Sequence, residues 1–381
     1  MVDTHIEYYD KHKISPVRLD IPDLDLHFEN RAGLFRHLGI LPGLITGKKI
    51  LEFGSGSGFN SLHLASLEPE SLTLVDGNPT GVEQTKELYS KFPDYKKFTK
   101  FEHSMFDDFQ NSEKFDLVIM ENVLVGQPGI EKTVKHVTRF VTPGGLFVTS
   151  CMNSVGLMPE TLRRLMAFIL VDQDSPLEKK VQRLLPVFSS HLASIKGMNR
   201  RQDDWILDNI LNPMLYPGRK LFSFSETIET IGEDFEFLSS SPRFMLDWRW
   251  YKTLGQTKDQ NNNLALEQYW MNVHNFLDLN TLMPPRSVEK NQKLFQICRE
   301  FVDLLYQFEN TGKHELIDPL IEILDRFILE VKNFSSRTAE GLNEARELLS
   351  QDTMDEEALK NSKKFGKLFG RANHHFSFIR K

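Results

Sequence analysis

The amino-acid sequence predicts an α/β fold: a doubly wound, mostly parallel, seven-stranded sheet with an additional helical region after its first five strands. Between residues 48 and 150, short runs of β-branched and aromatic residues alternate with helical stretches, as in parallel strands joined by crossover helices. After residue 150 the pattern becomes mainly helical, and two short strand-like segments remain. A chain of 381 residues is also long enough for two structural units.

Five strands and three helices are predicted in the first part of the chain. The fourth strand has the strongest signal, because it is an almost continuous apolar run. A turn at Thr142-Pro143-Gly144-Gly145 precedes the fifth strand. The predicted strands cover residues 49–53, 72–75, 98–103, 115–120 and 146–149, and the predicted helices cover residues 61–67, 80–92 and 130–141.

The later part of the chain carries apolar residues at helical spacing, which indicates core packing. Residues 235–240 predict a sixth strand. The alternating segment from His375 to Arg380 predicts a final strand that returns to the sheet, which would make the helices before it an insertion. Helices are predicted at 158–173, 177–196 and 201–211, with further helical stripes through 294–308 and 316–331.

These elements divide the chain into six predicted segments, of which three build the sheet and three surround it. The segments are a lid and lead-in helix at 1–46, a sheet core at 47–150, a helical substrate-recognition insertion at 151–234, a strand at 235–242, a helical domain at 243–372 and a final strand at 373–381.

Composition limits the classes of partner. The net charge is −7, whereas nucleic-acid binding usually needs a basic surface, so a small acceptor is favoured over RNA or DNA. Two distant cysteines, Cys151 and Cys298, and a polar N-terminus predict a reduced, cytoplasmic protein without disulfides. No run reaches the roughly 18 apolar residues of a membrane span. No Cys pair or H-E-x-x-H motif indicates a metal site, and the helical region is a candidate surface for homo-oligomers.

The sharpest signal is the segment Glu52-Phe53-Gly54-Ser55-Gly56-Ser57-Gly58, where a strand runs into closely spaced glycines. Glycine lacks a Cβ and accepts positive φ, so bare backbone can approach a ligand there. The next helix presents free N–H groups at the same point, at the carboxyl end of the strand where open α/β sheets bind ligands. The third glycine falls one residue too early for a dinucleotide fingerprint, and no P-loop lysine follows.

The spacing E-x-G-x-G-x-G resembles the first motif of class I S-adenosylmethionine-dependent methyltransferases, which share a Rossmann-like fold. The resemblance covers about residues 47–150 and implies S-adenosylmethionine as the cofactor, with its amino end fixed by Glu52. Asp76, at the end of the second strand, can accept both ribose hydroxyls, and the family places an acid there. The cofactor-binding residues that the resemblance implies in these segments are Glu52, Gly54, Ser55, Gly56, Gly58, Asn60, Asp76, Gly77 and Asn78.

Two further segments resemble the family in part. The family often carries an acid after the third strand for the adenine amino group, but Ser104 stands there, and Met105 and Phe106 are left to pack against the adenine. Glu121 and Asn122 end the fourth strand as in the family, and both are predicted to lie near the cofactor. The residues that follow do not form the Asn-Pro-Pro-Tyr motif of enzymes that act on planar amide or exocyclic nitrogens, so that subclass is disfavoured.

Two regions are candidates for the acceptor site. The N-terminal segment around Tyr8 and His12 would close the site as a lid, or else form a surface tail. The segment 199–209 follows the fifth strand, where the family inserts substrate-recognition helices. Asp204 and Asp208 share a helix face there, which suggests either a polar pocket wall or N-capping by Asp203 or Asp204. The candidate general bases are His12, Glu121 and Asp204, and the candidate substrate-binding residues are Tyr8, Tyr9, Arg201 and Trp205.

Three segments, 27–31, 200–205 and 369–371, also resemble bacterial methyltransferases of surface-polysaccharide biosynthesis, which suggests a sugar or small metabolite as acceptor. The leading prediction is therefore in-line O- or N-methylation of a small-molecule or sugar acceptor. A protein or tRNA methyltransferase and a non-catalytic, cofactor-binding scaffold are the alternatives.

Overall fold

A computed structural model describes residues 21, 23–125, 129–196, 198, 201–212, 221–246, 250, 252 and 260–381. Its described part contains one seven-stranded sheet with the strand order β3-β2-β1-β4-β5-β7-β6, which confirms the predicted fold class. The strands are β1 (Lys49–Phe53), β2 (Ser71–Asp76), β3 (Thr99–His103), β4 (Phe115–Met120), β5 (Val141–Met152), β6 (Phe235–Ser241) and β7 (Asn373–Arg380).

The first five strands pair in parallel, and β7 runs antiparallel between β5 and β6. The C-terminal segment therefore enters the sheet as a strand, and Met152 at the end of β5 pairs with Asn373 at the start of β7. The predicted turn at 142–145 falls inside β5. It is accommodated where the register between β4 and β5 shifts, and Gly144 takes a φ of +75° there.

Helices cover both faces of the sheet. The face that carries Phe35 and Leu62, here called the α1 face, buries them against Ile50, Leu117 and other strand residues. On the opposite face, the rings of Phe53 and Phe109 pack edge to face with 5.5 Å between centroids. The helices of this part are α1 (Leu24–His37), α2 (Phe59–Ser66), α3 (Pro79–Ser90), α4 (Pro93–Lys96), α5 (Ile130–Thr138) and α9 (Phe224–Ile231).

The chain folds into two compact units. The first consists of Met1–Met152, Gly218–Tyr269 and Asn373–Lys381, and it contains the whole sheet. The second consists of Asn153–Pro217 and Trp270–Ala372. Its helices are α6 (Ser154–Leu170), α7 (Leu177–Leu192), α8 (Gln202–Ile206) with a π-helical turn at Leu207–Leu211, α11 (Val288–Thr311), α12 (Ile317–Lys332), α13 (Ser336–Leu349) and α14 (Glu356–Lys360), while α10 (Gln260–Asn272) spans the boundary in sequence.

A fully buried arginine organises the second unit. Arg163 on α6 donates hydrogen bonds to the carbonyls of Leu368 (2.9 Å) and Phe365 (3.0 Å), and its guanidinium stacks 3.9 Å from the Phe369 ring centroid. A Cβ on Gly370 would lie 1.9 Å from the carbonyl oxygen of Gly156. The Phe369-Gly370 pair is therefore required for close packing inside this unit.

None of the helices in the described ranges is long and apolar enough to cross a membrane. Within the same ranges, no group of three or more His, Cys, Asp or Glu side chains is arranged to hold a metal ion.

Candidate active site

The glycine loop lies at the carboxyl end of β1, and its backbone requires glycine. Gly54 has a φ of +79°, and a Cβ there would lie 2.1 Å from Cγ1 of Val123. Gly58 caps α2 with a φ of +82°, and a Cβ there would lie 2.8 Å from Cγ2 of Thr85. Larger residues would collide with these neighbours and strain the backbone. The bare loop is thus a surface that a ligand can approach closely.

Asp76 ties the end of β2 to this loop. Its Oδ2 accepts a hydrogen bond from the Gly56 amide (2.8 Å), and its Oδ1 accepts one from the Asn78 amide (2.8 Å). Burial raises the pKa of the carboxyl, although these two amides and His103 act in the opposite direction. Each carboxylate oxygen keeps a second lone pair that can accept a hydrogen bond. Asp76 is therefore fixed in position and still able to bind a pair of hydroxyls.

The end of β3 presents apolar side chains near the loop. Phe106 begins a short 3-10 turn (Phe106–Asp108), and its ring packs edge to face on Phe53 at 5.6 Å. Met105 is 45% exposed. The Ser104 hydroxyl donates to the carbonyl of Met105 (2.9 Å), and no carboxylate takes its place. Met105 and Phe106 therefore offer apolar contacts to a flat aromatic ring at this point.

A buried ion pair lies on the α1 face at the carboxyl end of β4. Arg31 of α1 donates to both oxygens of Glu121, at 2.8 and 3.2 Å, and both side chains are nearly enclosed. The guanidinium also lies 5.0 Å from the ring centroid of Phe35. Sequence reasoning assigned no role to Arg31. One signal could have indicated this role. Arg31 is a cation one helical turn from both His27 and Phe35, and so it belongs to the buried stripe of α1.

The titratable groups around this pair have shifted pKa values. Burial alone would raise the pKa of Glu121, but Arg31 and His375 hold it below its ordinary value, so this carboxylate is ionised. Burial raises the pKa of Glu52 to about 7, and the nearby Glu121 carboxylate adds to that rise. The Oε2 atom of Glu52 is buried without a hydrogen-bond partner among the described residues. Burial and the Arg31 charge lower the pKa of His63 to about 4.

Two amides lie where β4 ends. Asn122 has a φ of +59°, and its backbone N–H donates to the Ser150 hydroxyl (2.6 Å). The side-chain amide of Asn373, the first residue of β7, donates to Oδ1 of Asn122. Both asparagines are exposed. The edge of the sheet beside the glycine loop therefore carries neutral hydrogen-bonding groups.

The structure brings most of the predicted cofactor residues together in the first unit. Glu52, the glycine loop with Ser55, Asp76, Phe106 and Asn122 follow adjacent strands at one edge of the sheet. Asn60 lies half-buried in the first turn of α2, Asn78 accepts the Thr80 amide (3.1 Å) and so caps α3, and the Gly77 carbonyl lies 3.3 Å from Nε2 of His103.

The predicted acceptor residues are not among the residues just described. Tyr8, Tyr9 and His12 fall outside the described residues. Arg201, Asp204 and Trp205 belong to the second unit, where Arg201 pairs with Asp203 (2.7 Å) and the Trp205 ring packs on Phe369. The N-cap position of α8 is Arg201, and no side chain caps it. Their roles stay predictions.

The role predicted for Glu121 as general base is revised. Both of its oxygens accept hydrogen bonds from Arg31, and the pKa of the carboxyl is lowered. A general base must be free to take a proton in a plausible pose. Glu121 is better suited to hold Arg31 and α1 in place.

The topology and the glycine loop define an α/β domain built to bind a nucleoside-type ligand at the carboxyl edge of its sheet. Comparison with protein families identifies the domain: residues 45–188 match the family model described as a methyltransferase domain. The chain therefore contains a methyltransferase domain, and a domain of this kind implies S-adenosylmethionine as the cofactor.

Solved structures share parts of this fold at low identity. The N-methyltransferase NodS from Bradyrhizobium japonicum WM9, in complex with S-adenosylhomocysteine, is 17% identical over 40% of this chain and 75% of its own, with a TM-score of 0.34. PKMT2 from Rickettsia typhi is 19% identical over 64% of this chain and 50% of its own, with a TM-score of 0.47. Comparison with curated protein sequences returned no match.

Proposed function

We propose that this enzyme transfers the methyl group of S-adenosylmethionine to an oxygen or nitrogen atom of a small-molecule or sugar acceptor. The observation that carries the proposal is the edge of the sheet where β1, β2 and β4 end. It combines a glycine cradle, a fixed carboxylate at Asp76, an unpartnered buried oxygen at Glu52 and neutral amides at Asn122 and Asn373.

The residues present fit the cofactor part by part. The loop around Gly54 would lie against its sulfur and ribose, since glycines put no side chain between the backbone and a ligand. Asp76 would accept the ribose hydroxyls through its free lone pairs. Glu52 would accept the ammonium of the methionine end, since its Oε2 is buried without a partner. Met105 and Phe106 would pack against the adenine.

When bound, the cofactor supplies an electrophilic methyl group. The protein then has to align the acceptor with that group and exclude water, and such positioning supplies most of the rate acceleration. A side chain that removes a proton is needed where the acceptor atom is an alcohol or an ammonium. The Arg31–Glu121 pair would keep α1 closed over this edge of the sheet.

Two observations support a small, neutral acceptor. The amides of Asn122 and Asn373 are exposed at the end of β4, and amides recognise hydroxyl and amine groups by hydrogen bonds. The net charge of −7 disfavours binding to phosphate backbones. The predicted lid and the residues Arg201, Asp204 and Trp205 remain candidates for further acceptor contacts.

Two experiments test the proposal. Calorimetry with S-adenosylhomocysteine should show binding to the wild type and to Gly43→Ala, since a Cβ at Gly43 meets nothing within 4 Å. Binding should be lost in Gly54→Ala. Equal affinities of the two variants would contradict the assigned cofactor cradle.

The acceptor class is tested with methyl-labelled S-adenosylmethionine and a fractionated cell extract. We expect label in the small-molecule ultrafiltrate. Label that enters only protein or tRNA would replace the small-molecule proposal with one of the macromolecular alternatives, and binding without transfer to any fraction would favour a scaffold.

A further inference from the structure

A histidine on the last strand lies on the same face of the sheet as the ion pair. His375 pairs in register with Ser150 of β5, whose hydroxyl accepts the Asn122 amide. Ser377, two residues further along β7, donates to the carbonyl of Leu38 (2.7 Å) at the end of α1. Since strand side chains alternate between faces, His375 also points to the α1 face.

The opposite face of β7 is filled by the aromatic core. The Phe376 ring stacks on Phe224 with 4.6 Å between centroids, and His374 packs edge to face on Phe376 at 6.1 Å. His374 is 1% exposed. Of the two adjacent histidines, only His375 is therefore placed on the side of Arg31 and Glu121.

The imidazole of His375 is not engaged by a hydrogen bond. Several other histidines are held by carbonyls, among them His27 by Phe59 (3.2 Å) and His136 by Phe109 (2.9 Å). Within the described part of the chain, the ring nitrogens of His375 have no such partner, and the side chain is only half-buried. Its ring is thus closely surrounded by protein while part of it stays accessible.

Burial favours the neutral form of this imidazole. Burial lowers the pKa of His375; the Glu121 carboxylate acts to raise it, and Arg31 of α1 acts to lower it. Its register neighbours on β5 and β6, Ser150 and Ser241, are uncharged. A neutral imidazole offers a lone pair to a proton.

The start of β7 also lies at the edge of the sheet to which the proposed function assigns the methyl transfer. Asn373 shares the face of His375, two residues away, and its amide reaches Asn122 at the end of β4. This hydrogen bond fixes the start of the strand beside the residues assigned to the cofactor. His375 therefore lies two residues further along β7 than Asn373, on the same face of the sheet.

We propose that His375 is the proton acceptor of the methyl transfer, an inference that rests on the proposed function. The acceptor oxygen or nitrogen forms a bond to the methyl carbon while the carbon–sulfur bond breaks and its electron pair stays on sulfur. The proton of the acceptor atom passes to a ring nitrogen of His375 and then to water. The Glu121 carboxylate stabilises the imidazolium that forms.

The first experiment compares His375→Asn with His314→Asn, an exposed histidine of the second unit. Affinity for S-adenosylhomocysteine should stay within about twofold in both, whereas transfer to the small-molecule ultrafiltrate should fall about 100-fold in His375→Asn only. The pH profile of that variant should lose its rise on the acid side. Unchanged transfer, or equal loss of cofactor affinity, would overturn the proposal. If the wild type binds no cofactor, the proposed function itself has failed.

The second experiment needs neither an acceptor nor a variant. Diethyl pyrocarbonate modifies neutral, accessible imidazoles, and mass spectrometry of peptides gives a rate for each histidine. We expect His375 to react in the free protein and to be slowed about tenfold or more by S-adenosylhomocysteine, while the rate of His314 does not change. The assignment would be overturned if His375 did not react, or if its modification rate were the same with and without S-adenosylhomocysteine.

Discussion

At the scale of single residues, the ion pair between Arg31 and Glu121 is the strongest unpredicted feature of the site. Both groups are buried, so either partner left alone would be an uncompensated charge in a low-dielectric environment. A buried pair is expensive to break even when its formation adds little stability.

Glu121→Gln should therefore destabilise the protein by about 3–5 kcal/mol. The matched control is Glu300→Gln, which removes an exposed partner of Arg326 and should cost less than about 1 kcal/mol. Urea unfolding measures both. Similar costs for the two substitutions would show that Arg31 finds another partner.

Glu52 gives the site a pH dependence. Burial raises the pKa of this carboxyl to about 7 in the free protein, and only its ionised form attracts an ammonium. Affinity for S-adenosylhomocysteine should fall as the pH drops below about 7, and binding near pH 6.5 should release a proton. Calorimetry in buffers of different ionisation enthalpy measures that release, and Glu52→Gln should abolish it.

The contribution of Glu52 to folding stability has the opposite pH dependence to its contribution to cofactor affinity. Because the folded pKa of Glu52 exceeds its unfolded value, the stability linked to the protonated carboxyl is present at low pH and is lost as the pH rises through about 7. A binding affinity that stays flat between pH 6 and 8 would refute the assigned ammonium contact.

At the scale of elements, β7 connects two strands that would otherwise be edges. It pairs with β5 from Leu146 to Met152 and with β6 from Phe235 to Ser241. Its Phe376 and Phe378 are fully buried. Loss of this strand would expose a row of unpaired backbone groups and an aromatic surface.

Deletion of residues 376–381 should therefore make the protein insoluble and abolish cofactor binding. The control is removal of Lys381 alone, which leaves the pairing of β7 intact. Solubility after expression and calorimetry with S-adenosylhomocysteine give the result. A soluble, binding-competent deletion variant would mean that β7 is dispensable for the sheet.

At the scale of the whole molecule, the assigned cofactor contacts and the core around Arg163 lie in different units. Arg163→Met would leave the carbonyls of Phe365 and Leu368 without their donor, and unpaired buried carbonyls are costly. Substitutions that share no interaction partners usually act independently.

We expect Arg163→Met to destabilise the protein by about 2–6 kcal/mol for the two unpaired carbonyls, with an affinity for S-adenosylhomocysteine that stays within about twofold under native conditions. Arg183→Met, which removes an exposed pair with Glu356, is the control. A large loss of cofactor affinity in Arg163→Met would show that the two units are coupled.

The sequence alone determined the sheet and the cofactor class. The bounds of strand β4 were predicted to the residue, because a buried parallel strand is an almost unbroken apolar run. The glycine loop at 54–58 could be recognised in the sequence, because only glycine fits the backbone conformation of Gly54 so close to Val123. The alternation at the C-terminus predicted β7, since it reflects the two faces of a strand.

Only the tertiary structure decided which side chains meet. The pair of Arg31 with Glu121, the reach of Asn373 to Asn122 and the face on which His375 lies all join residues far apart in sequence. Periodicity reports whether a residue is buried, but it does not report the partner, because a partner depends on strand order and helix placement. The charge state of Glu52 likewise follows from the protein packed around it and not from its neighbours in the chain.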